Sequence, residues 1–240
     1  SYRVPKEIHK LACQITSRIK HRQKKIWYPT KENGKITYHR TTSSLVFDEG
    51  QWLVLARTNY LLDEIEDQLR ESGIYYQRKG HKGVKKSVLE AVYAWEDLRK
   101  GEKLTCSEIK AAYQFLKINS GVKYGYKGLK KADEETKYSI EDLKKNFGLL
   151  RDDIWHNALE LIDPEDRVYL RSCRRKGEKL RAKPRVNLET IHGSKGGECQ
   201  NVVIMTDLPT KADDEYIHNP DDECRVFYTG VTRAKEHLHI

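Results

Sequence analysis

The sequence predicts an α/β protein: a parallel sheet flanked by helices and interrupted by a mostly helical insertion. Two apolar runs, residues 51–57 and 202–205, are typical of buried parallel strands. Between them, residues 80–183 carry apolar side chains at helical spacing instead. Only 38% of the 240 residues are hydrophobic and 34% are charged, but 14 Tyr and 4 Trp exclude a disordered composition. The length suffices for one large domain or two modest ones.

The first elements along the chain are predicted to be a helix and a hairpin. A helix at about residues 5–20 follows from one apolar stripe, and Pro5 suits its first position. The pair Asn33-Gly34 is typical of a type I′ turn, so residues 25–42 predict a β-hairpin. The stripe of the helix comprises Ile8, Leu11, Ala12, Ile15 and Ile19.

A strand–helix–strand unit is predicted next. Residues 51–57 form its first strand, and Thr58 or Asn59 can cap the following helix. Gly73 ends that helix, and residues 74–77 form the second strand. Ligands of open α/β sheets bind at the carboxyl ends of strands, where residues 57–59 would lie. The helix stripe comprises Leu62, Ile65 and Leu69.

The middle of the chain combines helical patterns with a basic excess. Residues 76–185 hold 27 Lys/Arg and 17 Asp/Glu, whereas the remainder holds 18 and 19. A concentrated excess is typical of a polyanion-binding module, and a lysine-rich solvated insertion is the alternative. Tyr124, Tyr126 and Trp155 are candidates for base stacking, although core packing is favoured for Trp155. Apolar positions predict helices around 88–95, 109–116 and 154–162, and a fourth helix opens at residues 163–164.

The five cysteines and the chain ends give a setting. No C-x-x-C pair occurs, so neither a disulfide framework nor a zinc site is predicted. A reducing, cytoplasmic compartment is favoured. The nucleoid and the interior of a phage-infected cell are both settings of this kind. No apolar run reaches membrane-spanning length, and no signal peptide is visible. Because the sequence starts without Met, we expect a piece of a longer protein.

Residues 186–198, VNLETIHGSKGGE, contain a glycine-rich turn. Such a turn can present backbone amides to an anion, although a plain tight loop is the more frequent outcome. The apolar run that ends at Asp207 is no Walker B motif, because no catalytic Glu follows it. The chain also contains no G-x-x-x-x-G-K-[ST] phosphate loop.

A last helix is predicted from about residue 220 to Ala234. Asn219 is its cap, Pro220 takes the first position, and acidic residues fill the first turn. Arg225 and Arg233 are eight residues apart and would lie on the same side of it.

Two segments resemble motifs V and VI of the UvrD/Rep/PcrA-like superfamily 1 DNA helicases: TIHGSKGGE at 190–198 and DECRVFYTGVTRAKEHL at 222–238. SYRVP at 1–5 is similar to the family's N-Y-R-[ST], and residues 57–59 are similar to the end of its L-Y-R-[ST]-N. This resemblance implies the second RecA-like motor domain at residues 1–79 and 184–240. It implies an inserted helical domain, one that contacts duplex DNA, at residues 80–183.

The resemblance also implies a share of an ATP site. Tyr2 would stack on the adenine, Arg3 would reach the γ-phosphate, and Glu198 would bind the nucleotide sugar. Arg233 would be the arginine finger, so the catalytic residues are Arg3 and Arg233. Arg225 matches the second Arg of the family's E-E-R-R-L run, in which Cys224 replaces the first.

The DNA-binding residues implied by the resemblance come from two segments. The loop of motif V would connect DNA to ATP. Three residues in and after this motif depart from the family pattern, namely Gly197, Cys199 and Gln200. The implied DNA-binding residues are Arg57, Thr58, Asn59, Thr190, His192 and Lys195.

The expected function is therefore that of the C-terminal portion of an ATP-dependent helicase that moves 3′ to 5′ on single-stranded DNA, in DNA repair or replication. The expected partners are single-stranded and junction DNA and the N-terminal motor domain, which would hold Mg²⁺. Without a phosphate loop, the chain alone should not hydrolyse ATP. The rival hypothesis is a non-catalytic DNA-binding scaffold, and Walker motifs upstream in the parent reading frame would exclude it.

Overall fold

Six parallel strands form one sheet in the computed structural model, which describes residues 3–23, 25–78, 83–194, 197–210, 217–218 and 220–240. The strands are β1 (Lys35–Thr37), β2 (Trp52–Ala56), β3 (Tyr76–Arg78), β6 (Val186–Thr190), β7 (Cys199–Ile204) and β8 (Ala234–His239). Their order across the sheet is β1-β8-β7-β2-β6-β3. Helices accompany the sheet, so the predicted α/β class is confirmed.

The chain divides into two compact units. The sheet unit consists of residues 1–83 and 181–240, and the helical unit consists of residues 84–180. No helix among the described residues is both long enough and apolar enough to cross a membrane. All five cysteines are free thiols.

The centre of the sheet is β2, as its apolar sequence predicts. All five of its residues are buried, and it pairs in parallel with β6 on one side and β7 on the other. Two helices, α1 (Lys6–Ser17) and α8 (Pro220–Val231), contribute to the core that covers these strands. Burial of this apolar surface is the main favourable term in folding.

Gly230 shows why α8 lies so close to the sheet. A Cβ atom at this position would lie 3.1 Å from Cδ1 of Ile204 and 3.5 Å from Cγ2 of Ile191. The missing side chain therefore lets the last turn of α8 approach β7 and the turn after β6.

The hairpin predicted at residues 25–42 is wrong. The strand after Gly34 pairs in parallel with β8 instead. The carbonyl of Asn33 accepts a hydrogen bond of 2.9 Å from the amide of Glu7, in the first turn of α1. Gly34 has φ of 70°, and a Cβ there would lie 2.5 Å from Cβ of Pro5. The Asn-Gly turn thus supplies an acceptor to the amino end of a helix, whose first amides lack partners.

The strand–helix–strand prediction is confirmed with one correction. The helix α2 (Asp63–Glu71) follows a 3₁₀ turn, Tyr60–Leu62, and Gly73 with φ of 63° lies just past its end. Neither Thr58 nor Asn59 caps it through a side chain, because the 3₁₀ turn starts the helical segment earlier. Among the described residues, the buried Thr58 Oγ1 has no hydrogen-bond partner.

The helical unit follows its predicted stripes in part. Trp155 is 1% exposed and belongs to the core, as favoured. The helix expected around residues 154–162 is only one turn long. A helix at Ile140–Asn146 and an antiparallel pair of short strands, Leu104–Thr105 with Lys137–Tyr138, were not predicted. The elements are α3 (Lys86–Arg99), β4 (Leu104–Thr105), α4 (Cys106–Tyr113), β5 (Lys137–Tyr138), α5 (Ile140–Asn146), α6 (Trp155–Ala158) and α7 (Pro164–Arg175).

The basic excess is spread differently from the sequence prediction. Six of the 27 basic residues in 76–185 lie outside the helical unit, which leaves it 21 Lys/Arg against 17 Asp/Glu. Its positive charge is concentrated in two stretches: residues 171–180 hold five Lys/Arg against one Glu, and residues 117–131 contain five lysines and no carboxylate. We call residues 117–131 the basic loop.

Candidate functional site

The amino ends of β7 and β8 bring together three of the predicted ATP-site residues. Glu198 directly precedes β7, and Arg233 directly precedes β8. Arg3 reaches the same edge from the segment before α1, and its Nη1 lies 2.5 Å from Oε1 of Glu198. Residues separated by nearly 200 positions in sequence thus share one edge of the sheet.

Glu198 is held between two cations. Its second oxygen, Oε2, lies 3.3 Å from Nζ of Lys235, and its side chain is 18% exposed. Burial raises the pKa of the Glu198 carboxyl, but the hydrogen bonds from Arg3 and Lys235 outweigh burial, and the net pKa lies below its ordinary value. The carboxylate is therefore ionised and available as a hydrogen-bond acceptor at neutral pH.

Arg233 lies two residues beyond α8 rather than inside it. The predicted helix end at Ala234 is wrong, because α8 ends at Val231 and the chain turns there into β8. Nε of Arg233 donates to the carbonyl of Thr229 at 3.1 Å, and Nη1 donates to the carbonyl of Gly197 at 3.4 Å. Backbone acceptors therefore orient the guanidinium without neutralising its charge.

A cleft of about 880 Å³ opens beside this cluster and is strongly cationic. None of the described residues that line it is acidic. Trp27 and Tyr228 add aromatic surface, with ring centroids 6.1 Å apart. Such a lining fits a polyanion that carries an aromatic group. The basic residues of the lining are Arg3, Arg22, Lys25, Arg225 and Arg233.

The carboxyl ends of β2 and β6 hold the other group of residues. Arg57, Thr58 and Asn59 follow β2, and Thr190 is the last residue of the neighbouring strand β6. His192 is exposed just beyond it. The candidate DNA residues in the described part of the chain therefore lie at the edge opposite to Glu198 and Arg233.

Thr190 stabilises the turn of motif V. Its Oγ1 accepts a hydrogen bond of 3.1 Å from the amide of Gly193, and its carbonyl accepts one of 3.1 Å from the amide of Ser194. Ser194 is 1% exposed and donates from Oγ to the carbonyl of Ile191 at 2.8 Å. Tyr2 and Lys195, both sequence-predicted site residues, and the predicted cap Asn219 lie outside the described residues.

Arg57 forms a part-buried ion pair that its position in the sequence does not predict. Its Nε donates to both carboxylate oxygens of Glu223, at 3.1 and 3.0 Å, and its Nη2 donates to Oε1 at 2.9 Å. The side chains are 21% and 3% exposed, respectively. This pair gives Arg57 a tertiary contact with α8.

The acidic first turn of α8 does more than complement a helix dipole. Asp221 is 4% exposed, and its two carboxylate oxygens each accept a hydrogen bond of 2.9 Å from the amides of Lys20 and His21. These bonds lower the pKa of Asp221. Arg225 Nη2 donates to the carbonyl of His21 at 2.8 Å. The sequence signal is the run of three adjacent acids at the start of the helix, but their long-range partners depend on the tertiary fold.

The six-stranded parallel sheet flanked by helices has the RecA-like architecture of a helicase C-terminal domain. The profile described as the UvrD-like helicase C-terminal domain matches residues 105–240, which is more than half of the chain. The chain therefore belongs to the UvrD-like helicase C-terminal domain family. No curated protein matches it.

Proposed function

We propose that this chain is the second motor domain, with its inserted helical unit, of an ATP-dependent helicase that moves 3′ to 5′ on single-stranded DNA. The observation that carries the proposal is the amino-edge cluster of Arg3, Glu198 and Arg233 beside a cleft lined by cations. In the order of the chain, the motor domain consists of residues 1–79 and 184–240, and the insertion consists of residues 80–183.

The amino-edge residues would act on ATP held against a first motor domain. That domain would supply the phosphate loop and the Mg²⁺ ligands, which this sequence lacks. Arg3 and Arg233 would stabilise the charge that spreads over the γ-phosphoryl group in the transition state, and Glu198 would accept a hydrogen bond from the sugar. Tyr2 would stack on the base. The cationic lining favours the triphosphate over neutral ligands.

The carboxyl-edge residues would bind the single strand. Asn59, His192 and Lys195 would contact it. Arg57 would contribute through its fixed guanidinium, and Thr58 and Thr190 would contribute hydroxyl groups. Five free thiols favour the reducing cytoplasm as the setting. DNA repair or replication would be the process.

The basic loop supports a second, electrostatic contact with DNA. Tyr124 is 82% exposed at its tip, whereas Val122 is fully buried at its base. The amide of Lys123 donates to the carbonyl of Gly148 at 2.8 Å, so the loop is fixed to the helical unit. An exposed ring among lysines is the pattern of a single-strand binding surface.

Binding of the chain to DNA should depend steeply on salt and on this loop. Changing Lys123, Lys130 and Lys131 together to Gln should reduce the slope of log K against log salt by up to about 2, since each lost phosphate contact removes about 0.7. Tyr124→Ala should weaken binding by about 1–3 kcal/mol with an unchanged slope, because stacking releases no counterions. Fluorescence anisotropy with an oligothymidylate at several salt concentrations measures both.

A second triple variant removes the same charge elsewhere in the helical unit. Lys86, Lys100 and Lys103 are exposed residues on or next to α3, and their change to Gln should leave most of the slope intact. If both triple variants lost the same slope, net charge alone would explain binding, and the basic loop would be no DNA site.

A further inference from the structure

Glu223 is a carboxylate buried at 3% side-chain exposure, and its partner comes from a distant part of the chain. It lies in the first turns of α8, whereas Arg57 directly follows β2, 166 residues earlier. The three hydrogen bonds between them use the planar fork of the guanidinium, which fixes orientation as well as distance. This contact joins the first turns of α8 to the end of β2.

Helix α8 connects the two edges of the sheet. The chain leaves β7 at its carboxyl end, and α8 returns it to the amino end, where Arg233 precedes β8. The helix thus contacts the carboxyl edge of the sheet, with its candidate DNA residues, through Glu223. It ends at the amino edge, with its candidate ATP residues. Arg233 is bonded to the carbonyl of Thr229, a residue of the same helix, at 3.1 Å.

The first turn of α8 also holds a wall of the cationic cleft. Asp221 binds the amides of Lys20 and His21 at 2.9 Å each. The neighbouring residues Ile19 and Arg22 line the cleft. A displacement of this turn would therefore move residues that line the cleft, both those on the helix and those in the segment after α1.

We propose that Glu223 is a positioning residue: its ion pair with Arg57 is the contact through which DNA at the carboxyl edge changes the position of α8 and of Arg233. This inference rests on the proposed function, because it assumes that DNA binds beside Arg57. A DNA phosphate competes with Glu223 for the same guanidinium fork, since both are anions that Arg binds through two donors. DNA would therefore bind more tightly when α8 has moved so that Glu223 releases Arg57 than when the ion pair is intact, as a change of state by a ligand requires.

The Nε–H groups of the two arginines report on this connection directly. Nε of Arg57 donates to Glu223, and Nε of Arg233 donates to Thr229. Both give signals in ¹H–¹⁵N NMR spectra of this chain, which Arg57→Lys and Arg233→Lys assign. Saturation with an oligothymidylate should shift both signals in the wild type. In Glu223→Gln, the shift of the Arg233 signal should fall at least threefold.

Glu66→Gln is the matched control. Glu66 pairs with Arg78 in the same unit, and these side chains are 19% and 12% exposed. The control should keep the full DNA-induced shift at Arg233. If Glu223→Gln loses the dispersed spectrum of a folded protein, Arg57→Met with Glu223→Met replaces it, because apolar pairs often substitute for buried ion pairs. That double variant should also lose the response at Arg233.

The outcomes separate this inference from the proposed function. Anisotropy measured in parallel shows whether DNA binds at all. If DNA fails to bind the wild type, the proposed function falls, and the inference falls with it. If DNA binds but the Arg233 signal stays unshifted, or if Glu223→Gln keeps the full response, Glu223 is only a structural residue and the inference is overturned.

Discussion

Arg233→Ala in the intact parent helicase is expected to reduce kcat for ATP hydrolysis by about 10³–10⁵-fold. The guanidinium of Arg233 is oriented by the carbonyls of Thr229 and Gly197 and points its charge to the cationic cleft. An arginine finger acts on charge that develops only in the transition state, so its loss affects kcat more than substrate affinity. Steady-state hydrolysis with saturating single-stranded DNA measures this.

Two comparisons make the Arg233 prediction specific. Arg233→Lys should lower kcat for ATP hydrolysis nearly as much as Arg233→Ala, because an ammonium group cannot reproduce the planar fork of donors. Nucleotide-free DNA binding should be preserved in both variants, since the candidate DNA residues lie at the opposite edge of the sheet. A kcat within about tenfold of wild type, roughly 1.4 kcal/mol, would make Arg233 a structural residue and remove the main support for the ATPase role.

The sheet unit should lose stability as pH falls from about 6.5 to 4. His239 is 7% exposed, and burial together with the nearby His237 lowers its pKa to about 4. His39 shares a hydrogen bond of 3.0 Å with it, and Lys35 adds positive charge. Across this range the unfolded state therefore binds more protons than the folded state, so the free energy of unfolding decreases as the pH decreases. From the size of the shift, the loss is about 3 kcal/mol.

Urea unfolding at a series of pH values compares the wild type with His239→Phe. The difference between the two free energies of unfolding should shrink or reverse in sign toward acid pH, because the variant keeps an apolar ring and loses the titrating group. Exposed His218→Gln is the control and should follow the wild-type curve. Parallel pH curves for His239→Phe and wild type would show that the pKa of His239 is the same in the folded and unfolded states, which would contradict this prediction.

Local patterns predicted those elements whose causes are local. Continuous apolar character was enough for β2, and Pro220 with its acidic neighbours was enough for the start of α8. The motifs identified Arg3, Glu198 and Arg233, which the fold brings to one edge of the sheet.

The errors arose where a local signal serves a distant partner. The Asn33-Gly34 turn satisfies the amino end of α1 instead of closing a hairpin. Glu223 has the position of an ordinary helix-start acid, but its carboxylate pairs with Arg57 across 166 residues. Neither spacing nor composition encodes such a contact, because it depends on the order of the strands in the sheet.

The most direct measurement of the central claim is ATP hydrolysis by this chain alone and by the same chain joined to the first motor domain of its parent. The chain alone should show no hydrolysis above background with or without single-stranded DNA, because it has no phosphate loop. The joined protein should hydrolyse ATP, and DNA should stimulate it. DNA-stimulated hydrolysis by the chain alone, or no hydrolysis by the joined protein, would contradict a composite ATPase site.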